Sequence, residues 1–433
     1  MKILIVNTYD TGGAANACIR LHEGFLNADV DSKLLVLHKK KDIKNSYQFD
    51  SMDIQKKSIQ DKISLYSRKF LRKLGFKIKK SSSNHLFISQ RNKELDLFSF
   101  PQSKFDITKS DLYKEADIIN LHWTANFLDY ESFFKKNKKP IVWTLHDMNP
   151  FTGGEHYIEK FIGISNSGEP IPRVLTEYEK AIFKNVVNYK LKALKHFKDL
   201  TISAPSRWLL EESKKSKVFG NYKSVCIPYG LDSKKFRFYN KIEARNHFNL
   251  PLDKKIILFV ADSLTNSRKG FLFLLKSIEN SQAEFKDTIL CAVGKRYSDL
   301  DHISNLVQMG YLNDYDSLSY CYSAADVFVI PSIMDNLPNT VLESLMCGTP
   351  VIGFPSGGIV DMIDHGINGL VVKDITVDSL RATLIDFINE GYNFNPQVIR
   401  DRTIYKYNLA KQANKYLKLF NNILDNENID CND

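Results

Sequence analysis

Short apolar runs alternate with polar, helix-patterned stretches twice along this chain, and that double alternation restricts the fold more than any other feature. In the first half the runs are Lys2–Asn7, Lys33–Leu37, Ile118–His122, Ile141–Leu145, Thr201–Ala204 and Val225–Ile227, with helical patterns such as Ala14–Leu26 and Leu175–Lys195 between them. In the second half they are Ile256–Ala261, Thr288–Val293, Leu306–Tyr311, Val327–Ile330, Pro350–Phe354 and Leu370–Val372. Helical patterns at Gly270–Ile278, Tyr315–Ala324, Thr340–Cys347 and Val377–Asn389 fill the intervals. Strands and helices alternating in this way build a parallel sheet with helices on both faces. A chain of 433 residues is also too long for one ordinary core. The sequence therefore predicts two doubly wound α/β domains in tandem. The first spans 1–232, with an excursion from its sheet at about 46–108; a linker at 233–249 leads to a second domain at 250–398. Residues 399–433, with a single amphipathic pattern over Asp401–Leu424, are expected as a helix crossing back to the first domain. Ligands of such sheets bind beyond the carboxyl ends of the strands, so the expected site is the cleft where two such edges face each other.

Charge narrows the partners. The formal charge of +10 favours acidic ones. Seven basic residues and no acidic one lie between Arg68 and Lys80, with Phe70, Leu71, Leu74 and Ile78 among them and Ile63 two turns earlier. A helix lying in an anionic membrane surface has that composition, and so does a solvated helix packed on its own domain. Both readings of 63–80 stay open. Nucleic acid is not expected, because no aromatic–basic interleaving or reader motif accompanies the charge. Ile3–Val6 follows Met1-Lys2 at once and reads as a buried strand, not a secretory segment. No window approaches the roughly eighteen consecutive apolar residues that span a bilayer. The six cysteines are scattered without paired spacing, as expected of reduced thiols. These features predict a cytoplasmic protein, peripheral on the inner face of the membrane if 63–80 binds there.

The segment Asp335-Asn336-Leu337-Pro338-Asn339-Thr340-Val341-Leu342-Glu343 joins a strand to a short helix, and a Gly348-Thr349-Pro350 turn leads to the next strand. Free N–H groups and a positive dipole end mark the start of that helix, where Thr340 is placed to cap it and touch a phosphate. One carboxylate precedes the helix and one lies inside it. That arrangement suits a nucleotide sugar, with one acid for sugar hydroxyls, the helix end for diphosphate and the other acid for ribose.

Here the chain resembles the family 4 retaining glycosyltransferases, whose signature is two glutamates separated by seven residues in this setting. The resemblance extends over Ser323-Ala324-Ala325-Asp326-Val327, Gly357-Gly358-Ile359 and Gly366-Ile367-Asn368-Gly369 in the second half. In the first half it includes Gly12-Gly13-Ala14, Ala204-Pro205-Ser206-Arg207-Trp208 and Ile227-Pro228-Tyr229-Gly230. The stretch Thr144-Leu145-His146-Asp147-Met148-Asn149-Pro150-Phe151-Thr152-Gly153-Gly154 is similar to bacterial enzymes of surface-polysaccharide assembly. The resemblance implies two Rossmann-like domains facing across a cleft (the GT-B fold). It implies transfer of a sugar, with retention, from a nucleoside-diphosphate sugar to a carbohydrate or polyprenyl-linked glycan. It places Asp335 at the donor-sugar hydroxyls and Glu343 at the ribose, with Asn336, Leu337, Asn339, Thr340, Gly294 and Tyr311 also on the donor side. Asp335 departs from the pattern, since Asp reaches one methylene less far than Glu.

Arg268 and Lys269, before Gly270, are candidates to meet the negative charge that builds on the leaving phosphate. The family's usual Arg lies several residues earlier, where this chain has Asp262, Ser263 and Leu264, so Arg268 would substitute from a shifted loop. A solvated basic pair is the plainer alternative. His146 and Asp147 end the strand Ile141–Leu145, and the resemblance implies a histidine there near the donor sugar. His122-Trp123 ends the preceding strand and is expected on the acceptor side, with a core histidine as the alternative. Gly12 and Gly13 open a helix that can meet phosphate, but no dinucleotide fingerprint follows. The histidines do not cluster like metal ligands, and Asp29-Val30-Asp31 and Asp314-Tyr315-Asp316 lie where ordinary turns and helix starts explain them. No cofactor and no essential metal are expected. A nucleotide-sugar epimerase of the same fold, and a weakly active homologue serving as a binding partner, are the alternative functions.

Overall fold

The computed structural model describes residues 1–50, 83–165, 167–312, 314–389 and 392–425. The basic segment 63–80 and Cys431 lie outside the described residues.

The first domain contains β1 (Lys2–Tyr9), β2 (Asp31–His38), β3 (Ser46–Gln48), β4 (Ile118–Leu121), β5 (Ile141–Thr144), β8 (Leu200–Ala204) and β9 (Lys223–Cys226) in one sheet. Strands β6 (Phe161–Ile164) and β7 (Pro170–Pro172) form a separate antiparallel hairpin. The sheet order is β3-β2-β1-β4-β5-β8-β9, and every pairing is parallel. The second domain repeats the scheme with β10 (Lys255–Ser263), β11 (Thr288–Lys295), β12 (Leu306–Gly310), β13 (Val327–Ile330), β14 (Val351–Gly353) and β15 (Gly369–Val371). Its order is β12-β11-β10-β13-β14-β15, again parallel throughout. Both orders reverse beside the first strand of the domain, between β1 and β4 and between β10 and β13. A crevice opens at the carboxyl ends of the strands at such a reversal.

Strands covered on both faces must be apolar along their whole length. Strands β4, β5 and β13 are buried at every residue, and β1 at six of eight. Strand β3 differs. Its Ser-Tyr-Gln sequence buries only Ser46 and pairs at the sheet edge with Leu34–Val36. The expected excursion at about 46–108 therefore starts after this edge strand.

Two other expectations change. Residues 233–249 do not form a free linker. They include helix Lys241–His247, capped by Asn240, and its buried Arg245 donates to Asp326 Oδ2 (2.7 Å) and to the Ala324 carbonyl (3.1 Å). Phe236 and Ala244 join the core of the second sheet. The pattern over Asp401–Leu424 is two helices, Pro396–Lys406 and Leu409–Leu424, not one. At the break, Leu231 N–H donates to the Tyr407 carbonyl (2.8 Å) and Leu409 N–H to the Leu231 carbonyl (3.2 Å). The Asn408 side chain then caps the second helix. The backbone groups an unbroken helix would have satisfied internally are used to bind the outgoing and returning chain where they cross between domains.

The returning helix packs on helix Gly13–Asn27. Ala413, Tyr416, Leu419 and Phe420 share a core with Ile3, Ile5, Cys18 and Phe25. The Tyr416 hydroxyl lies 2.9 Å from both Thr144 Oγ1 and Ser203 Oγ, on neighbouring strands β5 and β8. Tyr416→Phe removes that buried link, and the protein is expected to lose about 1–2 kcal/mol of stability in denaturant titration. No loss would mean that the returning helix is held by its apolar face alone.

Candidate active site

Strand β13 runs out of the second sheet into a loop that carries Asp335 to the start of helix Asn339–Met346. The loop is packed hard against the segment beginning at Gly357. Gly357 has φ 55°, and a Cβ there would lie 1.8 Å from the Asp335 carbonyl oxygen, so a side chain would displace the loop. Asp335 is buried. Its Oδ2 accepts from Lys269 Nζ at 2.5 Å and lies 3.4 Å from Arg268 Nη1, while Oδ1 accepts from Asn336 N–H at 3.0 Å. Burial alone would raise its pKa, but Lys269 and then Arg268 outweigh burial and hold the carboxyl below the usual range.

Arg268 is not a solvated loop residue. It is buried, donates to the Asp96 carboxylate and to the Met334 carbonyl (2.8 Å), and lies 4.3 Å from the centre of the Tyr157 ring. Asp96 and Tyr157 belong to the first domain, so this cation is clamped from across the cleft. Ser267 beside it donates to Glu94 of the same first-domain loop. Asp96 also anchors Glu159, whose Oε2 accepts the Asp96 N–H at 2.8 Å. Burial pushes the Glu159 carboxyl up to about 7.

Helix Asn339–Met346 is itself bound across the cleft, at its first and fifth residues. Glu343 Oε1 accepts from Arg20 Nη2 (2.9 Å) and Oε2 from the Tyr322 hydroxyl (3.2 Å). Asn339 Oδ1 accepts from Arg20 Nη1 (3.1 Å), and its Nδ2 donates to the Gly13 carbonyl (3.0 Å). Gly12, the residue before helix Gly13–Asn27, faces open space; a Cβ there would meet nothing within 4 Å.

Several expected donor-side residues sit differently. Leu337 is buried in the core of the second domain, because it is the apolar residue that ties the loop to the sheet. Thr340 does not cap the helix; Pro338 occupies that position, no side chain among the described residues caps it, and Thr340 falls in the first turn. The Asn336 amide accepts from Ser206 Oγ (2.6 Å) and donates to the His146 carbonyl (3.2 Å), so it joins the domains. Gly294, with φ 144°, allows β11 to approach β10: a Cβ would lie 2.1 Å from the Ala261 carbonyl. Tyr311 is exposed and donates to the Asp262 carbonyl (3.0 Å) at the same sheet edge. Asp314 caps helix Tyr315–Ala324.

The histidines form a buried chain. Asn120 Nδ2 donates to the Val142 carbonyl (2.9 Å), which leaves its Oδ1 to accept from His122 Nε2 (2.9 Å). His122 then carries its proton on Nε2, and its Nδ1 accepts from His146 Nε2 (2.9 Å). His146 Nδ1 accepts the Tyr229 hydroxyl (2.6 Å). The His146 ring, expected near the donor sugar, therefore has both nitrogens engaged, and its carbonyl is the group that reaches Asn336. Burial holds His146 down at about 4, and burial followed by repulsion from His146 holds His122 well below its usual value. Asp147 accepts from Trp123 Nε1 and His156 Nδ1, both at 2.6 Å, and so braces the wall of the cleft.

Arg20, Asp96, Tyr157, Glu159 and Tyr322 line the same cleft and are not singled out by the sequence, whereas Tyr229 lies within the Ile227–Gly230 match. Arg20 had a signal, a charged residue on the apolar face of helix Gly13–Asn27; Asp96, in an irregular stretch, had none.

The buried groups give the fold a defined acid response. The unfolded chain binds more protons than the folded one between pH 6.5 and about 4 at His146, so stability falls as pH drops through that window. Glu159 acts in the opposite sense, since its folded value of about 7 exceeds 4.5 and the folded form holds the extra proton between them. Glu159→Gln is therefore expected to steepen the loss of stability on acidification from pH 6.5 to 4.5, by roughly one proton in the slope of unfolding free energy against pH. An unchanged slope would contradict the assignment.

With this geometry the comparisons with known proteins agree. Residues 254–390 match the family model described as Glycosyl transferases group 1. The chain is 28% identical over 246 residues to the putative teichuronic acid biosynthesis glycosyltransferase TuaC of Bacillus subtilis, covering 55% of this chain and 60% of that one. It is 28% identical over 216 residues to the N,N'-diacetylbacillosaminyl-diphospho-undecaprenol alpha-1,3-N-acetylgalactosaminyltransferase of Campylobacter jejuni, covering 47% and 55%. The chain spans about half the length of the curated relatives it matches, 48% to 60% among the first of them. In three dimensions it is similar to HepE of Anabaena, solved with UDP and glucose, with a TM-score of 0.60 at 12% identity over 97% of this chain and 99% of that one. Residues 254–390 thus match the group 1 glycosyltransferase model, and the chain as a whole has the two-domain GT-B fold.

Proposed function

We propose that the chain transfers a sugar from a nucleoside-diphosphate sugar to a carbohydrate or polyprenyl-linked glycan of a cell-surface polysaccharide, with retention at the anomeric carbon and without a metal. One observation carries the reading. The uncapped start of helix Asn339–Met346 lies between the Asp335–Lys269–Arg268 cluster and Glu343, in a cleft bounded by both domains. A nucleotide sugar has the matching order of groups: sugar hydroxyls for Asp335, diphosphate for the cations and helix end, ribose for Glu343. The polyprenyl-diphosphate acceptor named for the Campylobacter relative, and the UDP and glucose bound to the Anabaena protein, support the same substrate classes.

In the transfer the bond from the anomeric carbon to the phosphate oxygen breaks, and the acceptor oxygen bonds that carbon from the same face. The acceptor proton passes to the leaving phosphate. Lys269 and Arg268 stabilise the charge that develops there more than the charge already present in the bound donor, which is what lowers the barrier. Donor must first draw Lys269 away from Asp335 and Arg268 from Asp96, so binding exchanges internal ion pairs for external ones. His146 contributes by holding the cleft wall and the Asn336 link rather than by moving a proton. Segment 63–80 is proposed as a peripheral contact with anionic membrane on its composition; no helix among the described residues is long and apolar enough to cross one.

The test is turnover of a panel of nucleotide sugars with lipid-linked glycans, followed by product mass. Lys269→Ala is expected to lower turnover by about 10²–10³-fold, Glu343→Ala and Asp335→Asn to weaken donor use, and EDTA to change nothing. Unchanged turnover in all three variants would overturn the site. Donor isomerised without an acceptor would identify an epimerase instead.

A further inference from the structure

Arg20 lies on the buried side of helix Gly13–Asn27, beside Ala17, Cys18 and Leu21, yet its guanidinium serves the other domain. A buried cation persists only where it is paired. Arg20 is paired twice, to Glu343 Oε1 through Nη2 and to Asn339 Oδ1 through Nη1, and the Phe236 ring lies 5.6 Å from its Cζ. Its two partners are the first and fifth residues of the donor helix, so one planar group fixes the helix start and the carboxylate together.

The way Glu343 is held has a chemical consequence. An ionised carboxylate offers about four acceptor positions on its two oxygens. Arg20 takes one on Oε1 and the Tyr322 hydroxyl takes one on Oε2, which leaves one on each oxygen. Two adjacent acceptors on a fixed carboxylate suit two hydroxyls on neighbouring carbons, as in a ribose. Without Arg20 the carboxylate would be buried with a single neutral partner and free to rotate.

We propose that Arg20 is a positioning residue that fixes Glu343 as a reader of the donor's ribose hydroxyls, so that ribose recognition exists only while the two domains are together. The proposal rests on the donor reading of Glu343 given above and adds the first-domain residue that makes that carboxylate selective.

The experiment is calorimetric binding of UDP, GDP, ADP and CDP, and of their 2′-deoxy counterparts, to wild type, Arg20→Leu and Arg20→Lys, with a thermal melt of each protein. Wild type is expected to favour the ribose form by roughly tenfold, the worth of one charge-assisted hydrogen bond. In Arg20→Leu the ribose form is expected to bind about tenfold more weakly while the deoxy form changes little, so the preference collapses toward one. A merely structural loss would weaken both forms alike and keep their ratio, and that result would overturn the proposal. Arg20→Lys keeps the charge without the fork and is expected to retain part of the preference; if Arg20→Leu fails to fold, a full wild-type ratio in Arg20→Lys would be the overturning result. Should wild type bind none of the nucleoside diphosphates, the donor reading itself fails, and this proposal with it.

Discussion

Charge buried between two domains has to be neutralised by charge, and in this cleft the neutralising partner repeatedly comes from the opposite domain. Arg20 of the first domain meets Glu343 of the second, and Asp96 of the first meets Arg268 of the second. Lys269 and Asp335 close the arrangement within the second domain. Removing one member of such a pair leaves an uncompensated charge, which costs far more than the pair contributes. The juxtaposition of the two sheets is therefore fixed by the same groups that would handle a charged substrate. A diphosphate would carry the charge that Asp96 and Asp335 supply to Arg268 and Lys269, so the proposed donor would exchange one set of partners for another without exposing a bare cation.

The neutral part of the site is rigid for a different reason. His122, His146 and Tyr229 hand one hydrogen bond along a chain that starts from the Asn120 amide, and each proton position is dictated by its neighbour. Such a chain holds the end of β5 and the start of the inter-domain connection in a single arrangement. It also means that the histidine ring expected at the reacting sugar works at one remove, by keeping its own carbonyl beneath Asn336. In the proposed transfer the protein would contribute positioning and electrostatics, with the acceptor proton going to the departing phosphate.

Much of this architecture was legible in the sequence because parallel strands buried on both faces are written as unbroken apolar runs, and Ile118–Leu121 and Val327–Ile330 are plain examples. Strand β3 was not legible because an edge strand of Ser, Tyr and Gln has no such requirement. The division of the C-terminal pattern at Tyr407–Asn408 was hidden too, since both helices carry apolar residues at compatible spacing and the break exists for the sake of Leu231, some 180 residues earlier. For the site, Asp335, Glu343, Arg268 and Lys269 could be found because they share short segments. Their partners could not be paired with them, since Asp96 and Tyr157 carry no signal of their own and Arg20, though out of place on an apolar face, meets Glu343 only after two domains have folded and met. The burial of Leu337 and the failure of Thr340 to cap the helix have the same root: a motif names a segment, and only packing decides which of its side chains turn inward.

In the proposed reading the cleft's internal ion pairs stand in for a nucleotide sugar. The most direct measurement is a crystal structure with the nucleoside diphosphate that binds most tightly. The account predicts its phosphates on Lys269, Arg268 and the start of helix Asn339–Met346, its ribose on Glu343, and the Lys269–Asp335 contact opened. A nucleotide bound elsewhere, or bound there with the Lys269–Asp335 and Arg268–Asp96 pairs intact, would contradict it.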